Sequence, residues 1–267
     1  SELLFRITSD DDLDRMPPPD SGKELTEEQI ELIRRWIHQG AEYETHWSFV
    51  TPTRPPVPEV KNSQWPRNPI DRFLLARIEA DGLSPGMEAD RETLIRRLTL
   101  DLTGLPPSLE VIQDLLAKER PGAIDRLVDQ LLDSPRFGER MAISWLDLVR
   151  YADTVGYHGD QEHHATPYRD YVVAAFNANM PFDQFTIEQL AGDLLPDASI
   201  DQRVASGYNR LLQTTHEGGA QDGEYLAKYA ADRVRNLTSV WLGATIGCAE
   251  CHDHKYDPYT QRDFYRL

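Results

Sequence analysis

The chain has 267 residues, of which 40% are hydrophobic and 27% are charged, and its formal net charge at pH 7 is −17. This composition is ordinary for a soluble globular protein that buries a core in one or two domains. The acidic balance argues against nucleic acid as a partner, because a phosphate backbone requires a clustered basic face. No apolar run reaches the roughly 20 residues needed to span a membrane.

Residues 1–45 form the first predicted unit. Its segment "LTEEQIELIRRWIHQGA" predicts a helix with Thr26 as N-cap, an apolar stripe and Gly40 at the stop. Before it, "RMPP" places a methionine in a proline-rich loop, which is the layout of the distal half of a small cytochrome c. Met16 is therefore a candidate axial ligand, through its thioether, for a haem attached upstream of residue 1. An ordinary loop methionine is the alternative, with equal weight.

Residues 46–68 are predicted to be a linker, since six prolines between Thr51 and Pro69 favour an extended and semi-rigid segment. From 69 to 267 the pattern is helical, and no run of alternating β-branched residues indicates a strand. We therefore predict an all-α protein with a helical domain over 69–267 that is cut short at its C-terminus. The predicted helices cover 69–81, 91–103, 108–118, 122–133, 135–152, 168–179, 183–191, 200–212 and 223–246.

Both cysteines of the chain lie in "GCAECHDHKYDP", residues 247–258. A Cys-x-x-Cys-His run is the attachment signature of c-type haem. Two thioether bonds hold the porphyrin, and the adjacent histidine then turns its imidazole toward the iron. We therefore predict that Cys248 and Cys251 carry haem c and that His252 is the proximal ligand. The helix over 223–246 is predicted to end at Gly247 and to deliver the motif into a turn.

Other interpretations of the motif remain open. The two cysteines can form a disulfide or a redox dithiol, although a thioredoxin-like site needs a βαβ setting that the pattern does not show. Zinc can bind the cysteines with His252 or His254, although structural zinc usually has a second ligand pair and the chain has no further cysteine. Unmodified thiols are the last alternative. Haem c is the favoured interpretation.

The face of the iron opposite His252 needs a ligand from elsewhere in the chain. His158 in "GYHGDQEHH" and His216 in "TTHEGG" are equal candidates, and Met180 is a weaker one. His254 is too close in sequence to reach that face, so we expect it to hydrogen-bond a propionate or to orient its neighbour. The cationic side chains expected to neutralise the propionates are those of Arg233, Arg235 and Lys255.

These residues resemble a known family. "NPIDRFLLARIEADGL", "WLDLVRYADTVGY", "PFDQFTIEQLAGDLLP", "EGGAQDGEYLAKYAADRVRN" and "WLGATIGCAECHDHKYDP" resemble the second planctomycete cytochrome-like domain, long catalogued as of unknown function. The N-terminal "RMPPPDSGKELTEEQIELIRRWIHQGA" resembles the end of the planctomycete-type cytochrome c domain. The resemblance implies that these residues are an internal piece of a large multidomain chain exported to the periplasm or the cell exterior. A cytochrome c domain would precede this piece, and a further domain would follow it.

The expected function is that of an electron-transfer module, which passes electrons between the leading cytochrome domain and a redox partner protein. The first alternative is a haem-dependent oxidoreductase, such as one of polysaccharide or sugar catabolism, with an open distal site beside Asp153, Asp160 or Glu217. The second is a non-redox helical interaction domain that holds zinc or free thiols. Whether the protein is an enzyme stays open. Asp253 and Asp257 are candidates for a hard cation, with turn roles favoured.

Overall fold

The computed structural model describes residues 1–117, 121–157, 159–215 and 217–267. Within these ranges the protein is helical and has no β-strand, apart from one isolated antiparallel bridge between Thr154 and Glu162. The all-α prediction is therefore confirmed. Of the helices in the described ranges, none has both the length and the apolar character that crossing a bilayer requires.

The chain divides into two compact units, Ser1–Gly86 and Met87–Leu267. The helices of the first unit are α1 (Glu2–Ile7), α2 (Glu27–His38) and α3 (Pro69–Ala80). Those of the second unit are α4 (Arg91–Thr103), α5 (Leu109–Ala117), α6 (Ala123–Leu132), α7 (Pro135–Leu148), α8 (Thr166–Asn177), α9 (Phe182–Ala191), α10 (Ile200–Ala205), α11 (Asp222–Leu237) and α12 (Gln261–Phe264).

Local capping chemistry sets the limits of the best-predicted helices. α2 begins at Thr26, whose hydroxyl accepts the backbone N–H of Gln29 while the Gln29 side chain accepts the Thr26 N–H. α4 begins after Asp90, whose carboxylate accepts from the Thr93 backbone at 2.8 Å. It ends at Gly104, which adopts the left-handed conformation with φ of 71°. These signals depend on neighbouring residues only, so the sequence predicts them well.

α7 ends four residues earlier than its predicted range of 135–152. Arg150 takes the left-handed conformation, with φ of 62°. The N–H of Tyr151 then donates to the Leu146 carbonyl at 2.8 Å and that of Arg150 to the Asp147 carbonyl at 3.0 Å. This is the left-handed C-cap arrangement that usually has glycine at this position, and here arginine takes its place. A prediction that relies on glycine to mark the end of a helix therefore misses this end. The α-helix predicted over 200–212 also ends early, at Ala205, and a 3₁₀ turn follows it over Ser206–Arg210.

The core of the second unit forms where α7 crosses α8. The crossing is close at Gly138, whose N–H donates to the Asn177 side chain at 2.8 Å. A Cβ atom on Gly138 would lie 2.5 Å from the Val173 carbonyl oxygen. The buried side chains of this core are Ala142, Val149, Ala165, Tyr168, Tyr171, Val172, Ala175, Phe185, Ala205, Tyr208 and Leu211.

A carboxylate is buried at the edge of this core. Glu188 of α9 is only 5% exposed. It accepts hydrogen bonds from the Tyr171 hydroxyl at 2.8 Å and from the amides of Gln184 and Gln202 at 3.0 and 3.2 Å. Burial raises the pKa of Glu188, but these three hydrogen bonds outweigh it and hold the pKa below its ordinary value. The ionised carboxylate therefore stabilises the packing of α8, α9 and α10.

Replacing Gly138 with alanine should destabilise the second unit, because the added methyl group pushes α7 away from α8. We expect the free energy of unfolding to fall by about 1–3 kcal/mol, measured by urea titration. Gly223→Ala is the matched control, since nothing lies within 4 Å of a Cβ at that helical position. That variant should be neutral or up to about 1 kcal/mol more stable. Equal effects of the two substitutions would contradict the close crossing.

Replacing Glu188 with glutamine should change how stability depends on pH. Because its folded-state pKa is lowered, the ionised carboxylate contributes its full stability above about pH 4.5, and the contribution is lost as the pH falls through the folded-state pKa. We expect Glu188→Gln to cost about 1–3 kcal/mol at pH 7 and progressively less at acid pH, as read from urea midpoints. Exposed Glu59→Gln is the control, and a pH-independent difference for Glu188→Gln would refute the assignment.

Candidate functional site

The helix that leads to the cysteine motif ends earlier than predicted. α11 stops at Leu237, a wider π-helical turn follows over Thr238–Leu242, and Gly243 ends it with φ of 59°. The buried Thr238 hydroxyl donates to the Val234 carbonyl at 2.9 Å and so competes with the regular helical pattern. Gly247 is therefore not the stop that the sequence predicts, and it lies inside the 3₁₀ turn that carries the cysteines.

α11 is tied to the core by polar contacts one turn apart. Asp232 receives two hydrogen bonds from the guanidinium group of Arg150, at 2.9 and 2.8 Å. Asn236 is buried and accepts from the Tyr208 hydroxyl at 2.7 Å. Burial raises the pKa of Tyr208, so this hydroxyl keeps its proton and remains a donor. These contacts fix the direction in which α11 delivers the motif.

The cysteines point toward solvent because Ile246 and Ala249, three residues apart in the same turn, are buried. The motif begins as a 3₁₀ turn over Ile246–Glu250. Ile246 and Ala249 are buried in a small apolar cluster with Phe264 of α12, and partly buried side chains of α11 pack against that cluster. In a 3₁₀ turn residues i and i+3 share a face, so the cysteines on either side of Ala249 point away from it. Both are exposed, and both are free thiols.

The C-terminal segment braces the motif from the other side. The Glu250 carbonyl accepts from the Tyr265 hydroxyl at 3.0 Å and from the Gln261 amide at 3.2 Å. The Asp253 carboxylate accepts the backbone N–H of Gln261 at 2.8 Å, at the start of α12. Asp253 thus has the turn role that was favoured over cation binding. The motif is held between α11 and α12, with its reactive atoms on the exposed side.

The two histidines of the motif have opposite ring tautomers. Nδ1 of exposed His252 lies 2.8 Å from the Asp253 carbonyl oxygen. A carbonyl oxygen only accepts, so Nδ1 donates its proton there, and in the neutral ring Nε2 keeps a free electron pair. Nδ1 of His254 instead accepts the backbone N–H of Asp257 at 2.8 Å and that of Tyr256 at 3.3 Å. The neutral ring of His254 then carries its proton on Nε2 and is a donor there. His252 is the one prepared to bind a metal, and His254 organises the turn.

The cations predicted near the motif have different positions. Arg235 of α11 forms an ion pair with Glu250, which lies between the two cysteines. Arg233 points elsewhere and donates to the Asn209 carbonyl at 2.9 Å. The Lys255 ammonium lies 5.3 Å from the ring centre of Tyr256. Arg235 and Lys255 therefore remain near the motif, while Arg233 is directed to the 3₁₀ turn after α10.

The candidate distal ligands are not settled by the described residues. His158 and His216 both lie outside them. Met180 packs against the core of the second unit, with its sulfur 3.6 Å from the Tyr171 hydroxyl. Met180, the weaker candidate, is thus part of the core packing.

The acidic residues named for an open distal site make local contacts. Asp153 accepts from the Tyr151 hydroxyl at 2.8 Å. Asp160 accepts the Gly156 backbone N–H, also at 2.8 Å. Glu217 is exposed, and its backbone N–H donates to the Thr215 hydroxyl at 3.3 Å. The two aspartates thus shape the 151–160 loop.

Met16 belongs to the first unit and is 42% exposed. Its backbone N–H donates to the Arg6 carbonyl at 2.9 Å, and a cis peptide bond joins it to Pro17. The hydrogen bond to Arg6 holds the loop against α1. It does not involve the sulfur, so the assignment of Met16 to an upstream haem stays a prediction.

A cavity of about 270 Å³ lies beside the motif, and sequence reasoning missed it. Three tyrosines line it, with ring centres 6.2 Å apart for Tyr157 and Tyr225 and 5.8 Å apart for Tyr225 and Tyr229. Arg235 and Glu250, the ion pair at the motif, form part of its wall. The available signal was the i, i+4 spacing of the two tyrosines on α11, which places them on one face.

A protein-only metal site is poorly supported by the geometry. Within the part of the chain that the structure describes, no three His, Cys, Asp or Glu side chains converge on one point. The cysteines are not joined by a disulfide. Structural zinc needs four protein ligands, and the motif supplies two thiols and one imidazole whose Nε2 makes no hydrogen bond with the described residues. The donor set instead fits a group that brings its own equatorial ligands, as a porphyrin does.

Replacing His254 with alanine should destabilise the haem-free protein, because its side chain is only 9% exposed and two backbone donors lose their acceptor. The expected cost is about 1–3 kcal/mol in urea unfolding. His254→Asn should restore most of it, since asparagine Oδ1 accepts in the same kind of turn. His252→Ala, at an exposed position, should stay within about 0.5 kcal/mol of the original protein. Equal losses for the two alanine variants would overturn the distinction.

The chain matches a described protein family over its larger part. The family is PSCyt2, described as a protein of unknown function (DUF1549), and its model covers residues 69–267. No curated protein and no solved structure matches the chain. The resemblance of residues 1–45 to a cytochrome c domain therefore stays a prediction. Because the match extends over well more than half of the sequence, the chain belongs to the PSCyt2 family of planctomycete cytochrome-like domains of unknown function.

Proposed function

We propose that this protein binds haem c and serves as an electron-transfer module of a larger multidomain redox protein. Cys248 and Cys251 would hold the group covalently, and Nε2 of His252 would bind the iron. The observation that carries the proposal is the His252 ring, whose Nδ1 donates to a backbone carbonyl and leaves Nε2 free, in a motif whose two thiols are exposed and unpaired. When bound, haem supplies one-electron redox chemistry.

The fit rests on the chemistry of the donors and on how rigidly they are held. A histidine that binds a metal usually donates its other ring nitrogen to a carbonyl or carboxylate, which fixes the tautomer and makes the ligand more basic. His252 has such a partner in the Asp253 carbonyl. The turn beneath it is anchored by the buried side chains of Ile246 and Ala249. The two thiols and the imidazole are thus all carried by one anchored turn and its continuation.

The exposure of the motif favours exchange of electrons with another protein. Cys248, Cys251 and His252 all reach solvent, so a partner can approach closely. The acidic surface, with a net charge of −17, favours a partner with a basic face. We further propose that the protein is exported to the periplasm or beyond, with a cytochrome c domain ahead of it and another domain behind, as the family resemblance implies.

A haem-dependent oxidoreductase is the second candidate function. The cavity lined by Tyr157, Tyr225 and Tyr229 favours it, because the Arg235–Glu250 pair joins this space to the motif. A substrate held there would lie next to the cysteine turn without entering the core. Binding of carbon monoxide to the reduced protein separates the two functions, since an electron-transfer iron with two strong ligands binds it poorly and an open one binds it readily.

The experiment is to express the chain with and without a c-type cytochrome maturation system and to test for covalent haem. We expect a haem absorption band that survives acid–acetone extraction, and its loss in the Cys248→Ala, Cys251→Ala double variant. His252→Ala should retain some covalent haem with an altered spectrum, while His38→Ala, an exposed histidine of α2, should match the original protein.

Two results would overturn the proposal. One is the absence of covalent haem in the original protein when a reference cytochrome matures normally in the same cells. The other is stoichiometric zinc in the purified protein that disappears with the two cysteines, which would favour the non-redox interaction domain.

A further inference from the structure

A second cavity, of about 280 Å³, lies apart from the cysteine motif, between the 150–163 loop and the 210–213 segment of the second unit. Its lining residues are Arg150, Ala152, Thr154, Val155, Gly156, His163, Arg210, Leu211, Leu212 and Gln213. Two arginines and one histidine thus line this space. No carboxylate does so among the lining residues in the described ranges.

This lining is unusual for so acidic a chain, which has 45 acidic and 28 basic residues. The cavity beside the motif contains Asp232 and Glu250. The groove along α8 and α10 contains Asp170, Glu188 and Asp201. A concave site lined by one sign of charge concentrates the electrostatic potential and attracts a ligand of the opposite sign. The lining therefore indicates an anionic ligand.

The two arginines differ in how they are engaged. Arg150 is held in place by its two hydrogen bonds to Asp232, so most of its charge is already balanced. Arg210 is the last residue of the 3₁₀ turn over Ser206–Arg210, and its side chain makes no hydrogen bond or ion pair with any residue that the structure describes. The guanidinium fork of Arg210 is then available for a carboxylate, which it fits with two parallel hydrogen bonds.

Backbone hydrogen bonds frame the cavity, and its floor is apolar. The N–H of Thr214 donates to the Val155 carbonyl at 3.3 Å, which joins the two loops. Within the 150–163 loop, the N–H of Val155 donates to the Gln161 carbonyl at 2.9 Å. The side chains of Val155 and Leu211 are buried and form the floor. A ligand that fills this space therefore meets a charged group at one side and an apolar surface at the other.

We propose that this cavity binds a small organic carboxylate. The Arg210 guanidinium group takes the carboxylate, and the carbon skeleton lies on Val155 and Leu211. The volume is at the lower end of the range for ligand pockets, which suits a molecule of about one ring. The site does not depend on haem, so the failure of either proposal leaves the other intact.

The test compares benzoate with benzamide, which has nearly the same shape and no charge, by isothermal titration of the purified chain. We expect benzoate to bind at least about 10-fold more tightly than benzamide, since hydrogen bonds to a charged group supply much of the affinity. Arg210→Gln should weaken benzoate binding by about 10-fold or more. Arg203→Gln, an exposed arginine on α10 that lines none of these cavities, should leave it unchanged.

The outcomes that would overturn the proposal are distinct. Benzoate that does not bind, or that binds Arg210→Gln as tightly as the original protein, would remove the site. Equal binding of benzoate and benzamide would remove the role of charge. Inorganic phosphate that binds as tightly as benzoate would show a plain anion site without the apolar floor. Because Arg210 is exposed, its variant should unfold at the same urea concentration as the original protein, which excludes a folding defect as the cause.

Discussion

The ion pair between Arg150 and Asp232 connects the end of α7 with the middle of α11, and both proposed sites depend on the position that it fixes. Its side chains are 44% and 31% exposed, so by itself it contributes at most about 1 kcal/mol. The neighbouring bond from Tyr208 to Asn236 is buried, and leaving either group unpaired would cost about 1–3 kcal/mol. The ion pair therefore sets orientation, while the buried bond supplies most of the stability. Arg150 lines the cavity proposed to bind a carboxylate and Asp232 lines the cavity beside the motif, so each cavity has one member of the pair in its wall.

The chemistry at the motif follows from which side chains the turn buries. Ile246 and Ala249 enter the apolar cluster with Phe264, so the cysteines on the opposite side must face solvent. His252 and His254 are two residues apart, yet one ring faces a carbonyl oxygen and the other faces backbone N–H groups. That difference in partners decides which imidazole keeps an available electron pair. It supports the proposal that His252 binds the iron and that His254 organises the turn.

The sequence by itself determined the helical class and most helix limits, because these depend on contacts within one or two turns. α4 begins and ends where Asp90 and Gly104 predict. The N-cap of α2 at Thr26 was also predicted from its neighbours. The Cys-x-x-Cys-His motif could equally be located from the sequence, since it is defined by the spacing of three residues along the chain. None of these features needs a distant part of the molecule.

Only the tertiary structure decided the features that depend on residues far apart in the chain. Arg150 ends α7 in a conformation that usually favours glycine, and its side chain meets Asp232 more than 80 residues later. The early end of α11 at Leu237 accompanies the burial of Thr238, which no local pattern reports. The carboxylate cavity brings two loops together around Arg210. Periodicity along a chain shows which face of a helix is apolar, but it does not show which loops will meet, because that depends on how the helices pack.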